Sequence, residues 1–491
     1  MVILCILLSL FIEFKYEDEG NTTLIEVSPS ERIEFPKNVV RIKDCSVVDK
    51  QPDICPLSSL RNVLQYLSFE EESLLESLGI GTFSSFSKLI IANLSMCNHL
   101  KSISSGAFKN SNLNQVFLPM NGELANINSA AFQNTKLKSF TLPDSVINIQ
   151  GYIDNEIEGG VFTACTSLHN LEISKNSLLK YIGYAIGQSA SIENIFIPQN
   201  CKISTGSFNL MRNLNVTIDS RNKNIRIYDN CIYSYDYKSL FWIPNLYPNF
   251  FTFNPNCQIV ESEAFRGYES NFDLLIPSFL TTIKPYGFFG CFSKSIIFQN
   301  DNIQTLDVLI FHWCASVIKM SPKLMVVKSG IFNTYLGSYV EFDSELQKIE
   351  SKSFIDCKNL QKIKFIKLKS NLIIDSDSFK NCPKLEHLVF PLESSDVITF
   401  NSSCLSQCDA FKGVKFYVLV PRNVINFNVS KTNLDVEVDT INVDNDYIKC
   451  GKIHMKHPFD DKCHLNIRSS NIFYSSFNLQ YLIIFIIILS E

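Results

Sequence analysis

The stretch I-E-S-K-S-F-I-D-C-K-N-L-Q-K-I-K-F, from Ile349 to Phe365, is repeated in skeleton in the unit that follows it. Phe354, Cys357, Leu360, Ile363 and Phe365 recur 25 residues later as Phe379, Cys382, Leu385, Leu388 and Phe390, with Pro391 next. A period of this size marks a repeat array, because one such unit cannot bury its own apolar face and stacked neighbours can. Working outward, anchor residues fall at Phe83, Phe108, Phe132, Phe162, Ile186, Phe208, Phe265, Phe288, Phe311, Phe332, Phe354, Phe379 and Cys404. Most spacings are 21–25 residues. The exceptions, 30 residues after Phe132 and 57 after Phe208, read as an insertion and as a longer divergent unit.

Between anchors lies a second signature, L-x-x-φ-x-φ-P, where φ is apolar. It ends at Pro119, Pro143, Pro198 and Pro391. The φ-x-φ segment predicts a short strand with alternate residues inward. The proline is expected to end it, since a residue without an N–H cannot continue the ladder. The S-x-x-[AS]-F segment turns the chain back, and its Phe fills the space between layers. The expectation is a parallel-stranded solenoid.

Composition agrees with a folded array. Hydrophobic residues are 46% and charged residues 19% of 491, and the 39 Phe against 2 Trp sit largely at repeat positions. The net charge of −5, with both signs interspersed, gives no electrostatic case for nucleic acid. Among the 16 Cys, Cys165, Cys291, Cys314, Cys357 and Cys382 fall at one phase of their repeats. That phase predicts a ladder of buried thiols acting as small hydrophobes, with pairing of neighbouring rungs open in an oxidising compartment.

The pattern resembles the Treponema-type leucine-rich repeat of BspA-like surface antigens. It appears as A-F-K-N-S-N-L-N-Q-V-F-L-P from Ala107, A-F-Q-N-T-K-L-K-S-F-T-L-P from Ala131 and S-F-K-N-C-P-K-L-E-H-L-V-F-P from Ser378, and covers about residues 64–421. The resemblance implies a repeat solenoid: a leucine-rich-repeat right-handed superhelix with a parallel β-sheet on the concave face and irregular or short helical returns. It also implies a non-catalytic cell-surface protein for adhesion or protein recognition. Its partners would be host or neighbouring-cell proteins, matrix proteins or glycans. The alternative is a soluble intracellular or secreted scaffold without membrane attachment. D-N-C-I-Y-S-Y-D-Y-K-S-L-F-W-I-P, from Asp229, looks like a hairpin insertion of that family and would explain the longest spacing.

The expected organisation is an apolar segment 1–14, a cap with degenerate repeats 15–79, the array 80–421 with a divergent insertion 228–260, a C-terminal cap 422–471 and an apolar tail 472–491. The first segment suits a signal-peptide core, although no Lys or Arg precedes it and no small-x-small site follows; the other reading is an element of the cap. In an oxidising compartment Cys45 and Cys55 could staple that cap. In the tail, Tyr481–Leu489 is uninterruptedly apolar, and three readings stand: a spanning helix, a removable anchor signal or a cap strand. Membrane attachment through this tail is the expectation.

Catalytic signatures are missing: there is no G-x-S-x-G, H-E-x-x-H, Rossmann fingerprint or phosphate-cradling glycine loop. Cys450–His464 holds two Cys and three His, but C-x3-H-x2-H-x5-C matches no standard finger and a disulfide accounts for it as well. No metal and no cofactor is assigned. Asn21, Asn93, Asn215, Asn401 and Asn428 open N-x-[ST] triplets and permit glycosylation.

The functional candidate is a surface. The middle residue of each φ-x-φ points away from the core, which gives the row Phe117, Thr141, Glu172, Phe196, Thr217, Leu275, Ile297, Lys319, Glu341, Lys364 and Val389. A solvated face would be polar throughout. The apolar members make this row the expected partner-binding face.

Overall fold

The computed structural model describes residues 57–418 with short interruptions, residues 12–19, 23–42 and 44, and three further strands, Ile425–Phe427, Leu434–Val438 and Cys463–Ile467. The apolar run at 1–11, Asn21, Cys45, Cys55, Asn401, Asn428, the segment 450–462 and the tail 472–491 lie outside the described residues. Two units separate by their contacts, residues 1–317 and 318–491. Each is a parallel β-solenoid. The one helical turn among the described residues is the 3-10 element Ser58–Leu60, so the returns are irregular, not helical.

In the first unit the φ-x-φ segments form one strand per coil, hydrogen-bonded to the next coil in register. Arg32–Phe35, Tyr66–Phe69, Ile91–Asn93 and Gln115–Phe117 make one parallel sheet. Ser139–Thr141, Asn170–Glu172, Asn194–Ile197 and Asn215–Ile218 make a second. The longer strands Glu269–Ile276 and Phe292–Phe298 pair likewise. In the second unit Tyr339–Phe342, Lys362–Phe365, His387–Leu392 and Gly413–Val418 follow the same rule. The alternation buries Phe140, Leu171, Ile195, Val340 and Ile363 completely or nearly so.

Pro391 corrects one expectation, because it lies inside its strand, paired with Tyr417. The His387 N–H bonds Gln361 O, so by alternation residue 391 turns its nitrogen to the same side, just past the end of the strand Lys362–Phe365. No donor is needed there, and a proline is tolerated at such an edge.

A second ladder has no counterpart in the sequence reading. Two-residue strands Ser77–Leu78, Ser102–Ile103, Asn126–Ile127, Asn148–Ile149, Tyr181–Ile182 and Lys202–Ile203 pair in parallel, each with the next coil. Their second residues point inward and are at most 8% exposed. Val326–Val327, Lys348–Ile349 and Leu372–Ile374 repeat this in the second unit.

A third ladder runs through the turns around each anchor. In the coil of Phe108, the N–H groups of Gly106, Phe108 and Asn110 donate to Ser129, Ala131 and Gln133 of the next coil at 2.8–3.0 Å. Those of Ala107, Lys109 and Ser111 donate three residues back within their own turn. Gly330, Phe332 and Thr334 repeat the outward set toward Lys352, Ser353 and Ile355. Every buried N–H of the turn therefore has an acceptor without a regular strand. The geometry requires left-handed backbone two residues before and after the anchor, at φ 65° and 59° for Gly106 and Asn110 and at 74° and 50° for Gly330 and Thr334.

The anchors stack inside this frame. Phe83, Phe108 and Phe132 lie 5.3–5.4 Å apart with ring planes within 14° of parallel, and Phe332 and Phe354 are 4.4 Å apart at 7°. The small residue before the anchor explains the [AS]-F pair. Ser353 and Ser378 are fully buried, and each hydroxyl lies within hydrogen-bond distance of carbonyls of its own and the preceding coil.

The thiols are buried as expected, and no disulfide links them among the described residues. They also bond. Cys165, Cys357, Cys382 and Cys408 each donate to the carbonyl of the anchor Phe one coil earlier, at 2.9–3.0 Å. Burial raises Cys97, Cys201 and Cys257 to about 12, which keeps them as neutral thiols.

Both long spacings hold antiparallel additions. Ile153–Asp154 pairs with Ile157–Glu158 after Phe132. After Phe208, Ile225–Tyr228, Cys231–Ser234 and Ser239–Trp242 form a meander whose last strand rejoins the parallel ladder at Ile259–Val260. Asn222 fixes the entry to it. Its amide nitrogen donates to Pro198 O and Cys201 O, and its oxygen accepts from the N–H groups of Asn224 and Ile225.

Candidate recognition face

Within the first unit, strand register turns single outward residues into columns. Thr141 pairs with Glu172, and Phe196 with Thr217. Because side chains alternate with period two, the residue two positions earlier in each strand shares this face. That adds the parallel column Ser139, Asn170, Asn194 and Asn215, which the reading of middle residues missed although the same alternation would have revealed it.

A depression of about 590 Å3 opens on this face. The predicted residues Thr141, Glu172, Phe196 and Thr217 line it together, joined by Asn170 and Asn194 of the second column and by Met120, Asn121 and Asp144 from the ends of strands and the turns after them.

The electrostatics centre on Glu172. Thr141 Oγ1 donates to its Oε2 at 3.0 Å, and Asn170 Nδ2 donates to its Oε1 at 2.8 Å. Both partners are neutral, so the carboxylate is oriented but not compensated. Asn215 Nδ2 continues the amide column by donating to Asn194 Oδ1 at 3.1 Å. Phe196 is half-buried, packed against the core on one side and lining the depression on the other. At the end of the last strand, Arg221 grips Asp219 through Nε and Nη2, at 3.0 and 2.8 Å. These bonds from Arg221 hold the Asp219 carboxyl down to about 2.

The other predicted residues lie on their strands but outside this depression. Phe117 ends its strand and is 49% exposed. Leu275 and Ile297 are register partners, both half-buried. In the second unit Lys319, Glu341 and Lys364 form a column of alternating charge, in which Tyr339 donates to Glu341 Oε2 at 2.6 Å. Val389 is in register with Lys364 yet only 4% exposed, so it does not offer the surface expected of it. A short branched side chain about 4.8 Å from a longer neighbour is shaded by it.

Of the glycosylation triplets, two fall on described residues. Asn93 accepts bonds from its own Ser95, at 3.1 Å from N and 2.7 Å from Oγ. Asn215 sits in the amide column. No group of three His, Cys, Asp or Glu suited to a metal occurs among the described residues, and no helix among them is long and apolar enough to cross a membrane.

A family model described as the BspA type leucine rich repeat region, with six copies, matches residues 58–153, 154–247, 245–361 and 325–452. Solved structures with a similar fold include a leucine-rich cell surface protein from Faecalibacterium prausnitzii, 17% identical, with 82% of this chain and 93% of that one covered and a TM-score of 0.48. Another is a leucine-rich repeat protein from Bacteroides ovatus, 17% identical, covering 93% and 98%, with a TM-score of 0.43. No curated protein matches the chain.

Proposed function

Because the chain belongs to the BspA-type leucine-rich repeat family, we propose that it is a non-catalytic recognition protein, displayed at a cell surface, that binds a protein partner through its outward sheet columns. The observation that supports this most is the depression over the strands Ser139–Thr141 to Asn215–Ile218. There four residues chosen from strand pattern alone, the half-buried Phe196 among them, line one concave surface. A concave site with an apolar element and a few converging polar groups is the usual form of a binding site. The burial of the described repeat thiols fits a packing role for them better than a nucleophilic one.

The test uses the full chain against purified matrix and host cell-surface proteins on a biosensor, with surface biotinylation of expressing cells alongside. A partner whose binding falls about tenfold or more with Phe196→Asp, under unchanged circular dichroism, fits a contact of the kind that dominates interfaces. Binding that persists in both Phe196→Asp and Ile297→Asp removes this face from the reading. Absence of surface labelling removes the display.

A further inference from the structure

The depression is selective in its chemistry. Among the described residues, the charged ones that line it are Asp144 and Glu172, with no Lys or Arg. A surface built to meet an acidic or lipid-headgroup ligand would carry the opposite sign. The Glu172 carboxylate is held by one neutral donor on each oxygen, Thr141 Oγ1 on Oε2 and Asn170 Nδ2 on Oε1. Each oxygen keeps a further lone pair, and no Lys or Arg among the described residues pairs with the charge. Phe196 stands on the adjacent strand, two residues beyond Asn194, which pairs with Asn170, two residues before Glu172. The aromatic and the carboxylate therefore stand on adjacent strands and line the same depression.

Resting on the proposed recognition role, we infer that this depression receives an arginine side chain of the protein partner. The planar guanidinium takes both Glu172 oxygens as a fork while its face covers the Phe196 ring. A guanidinium satisfies both features at once, since it offers parallel N–H donors to a carboxylate and stacks on aromatic faces. An ammonium is a point charge and makes only one of these contacts well. The amides of Asn170, Asn194 and Asn215 supply donors and acceptors alongside, as a peptide backbone beside the arginine requires. The chain itself shows the bidentate pairing nearby, where Arg221 closes on Asp219.

The test is ligand-observed NMR on the full chain with three probes: acetyl-Gly-Arg-Gly-amide, its citrulline counterpart and its lysine counterpart. At low salt the arginine peptide is expected to bind about tenfold more tightly than citrulline and about threefold more tightly than lysine, narrowing at 0.5 M salt as exposed charges are screened. Glu172→Gln, an exposed change that keeps an acceptor for Thr141, is expected to abolish the preference over citrulline. Phe196→Leu, which keeps the apolar contact but not the ring, is expected to reduce arginine binding about threefold. Equal binding of arginine and citrulline peptides overturns the inference, as does saturation by a neutral trisaccharide with no such preference, which would assign the depression to glycans. The recognition reading fails separately, when a partner's binding ignores Phe196→Asp.

Discussion

Phe354→Ala removes one rung from the middle of an aromatic stack, and its consequence follows from the packing. The ring is fully buried, 4.4 Å from Phe332, 5.2 Å from Phe379 and 6.5 Å from Phe342. Its loss leaves a cavity between coils that the hydrogen-bonded ladders on either side keep from collapsing. Phe→Ala in a core costs about 3–5 kcal/mol, and a value of about 4 suits a site this constrained. In a repeat array that cost falls on a coil and its neighbours. The thiols provide the assay. Cys357 Sγ bonds Phe332 O and Cys382 Sγ bonds Phe354 O, so labelling by a thiol reagent requires local opening of these coils. At about 1.4 kcal/mol per decade, 4 kcal/mol predicts labelling of Cys357 and Cys382 about a thousandfold faster, read by mass spectrometry of peptides at pH 8. Cys97 and Cys165, many coils away, should change less than about twofold. Equal acceleration at all four thiols would show one cooperative block and refute the local reasoning. An unchanged Cys357 would refute the packing itself.

Asn222→Ala takes the acceptor from two N–H groups at a site 2% exposed, while Pro198 O and Cys201 O keep other donors; at roughly 1 kcal/mol for each N–H, hydrogen exchange over residues 225–234 should accelerate about thirtyfold. Gly151 has no room for a Cβ, which would lie 1.7 Å from Tyr184 O, so Gly151→Ala should cost about 2–3 kcal/mol. Both Trp, 242 and 313, lie in the first unit, and the urea midpoint by their fluorescence reads this loss. Asp219 has a folded value below its ordinary 3.8, so its contribution is complete above pH 4 and disappears as pH falls through about 2. The carboxyl carbon shift of Asp219 should titrate there in the native chain and near 4 in Arg221→Gln.

The parallel solenoid was legible in the sequence because each coil repeats side chains that do the same physical work. Phe354, Cys357 and Leu360 announce it. The second ladder was not legible, since a two-residue strand shows one inward residue, such as Ile127 or Ile182, and no alternation to count. The turn ladder left a faint trace. Left-handed backbone two residues past the anchor admits Asn110, Asn134, Asp356, Asn381, Gly267 and Gly290, the residue types that tolerate it best, but also Ser85 and Trp313. On the face, a middle-position rule picks Thr141, Glu172, Phe196 and Thr217, which line one depression. It misses Asn170 and Asn194 for want of the second column, and it overestimates Val389, whose exposure depends on its neighbour's length and not on its own pattern.

The turn ladder has a direction. The coils of Phe83, Phe108, Phe132, Phe265 and Phe332 send three N–H groups forward to the next coil, and those of Phe162, Phe288, Phe354 and Phe379 send two. A whole coil can therefore be duplicated or deleted in the gene and leave no backbone group stranded, whereas a fraction of one cannot. Additions that are not whole coils must close on themselves, as the antiparallel meander from Ile225 to Trp242 does before handing the ladder on at Ile259. Descent by copying is thus constrained in length to integral coils, while the outward residues of each new copy begin free to diverge.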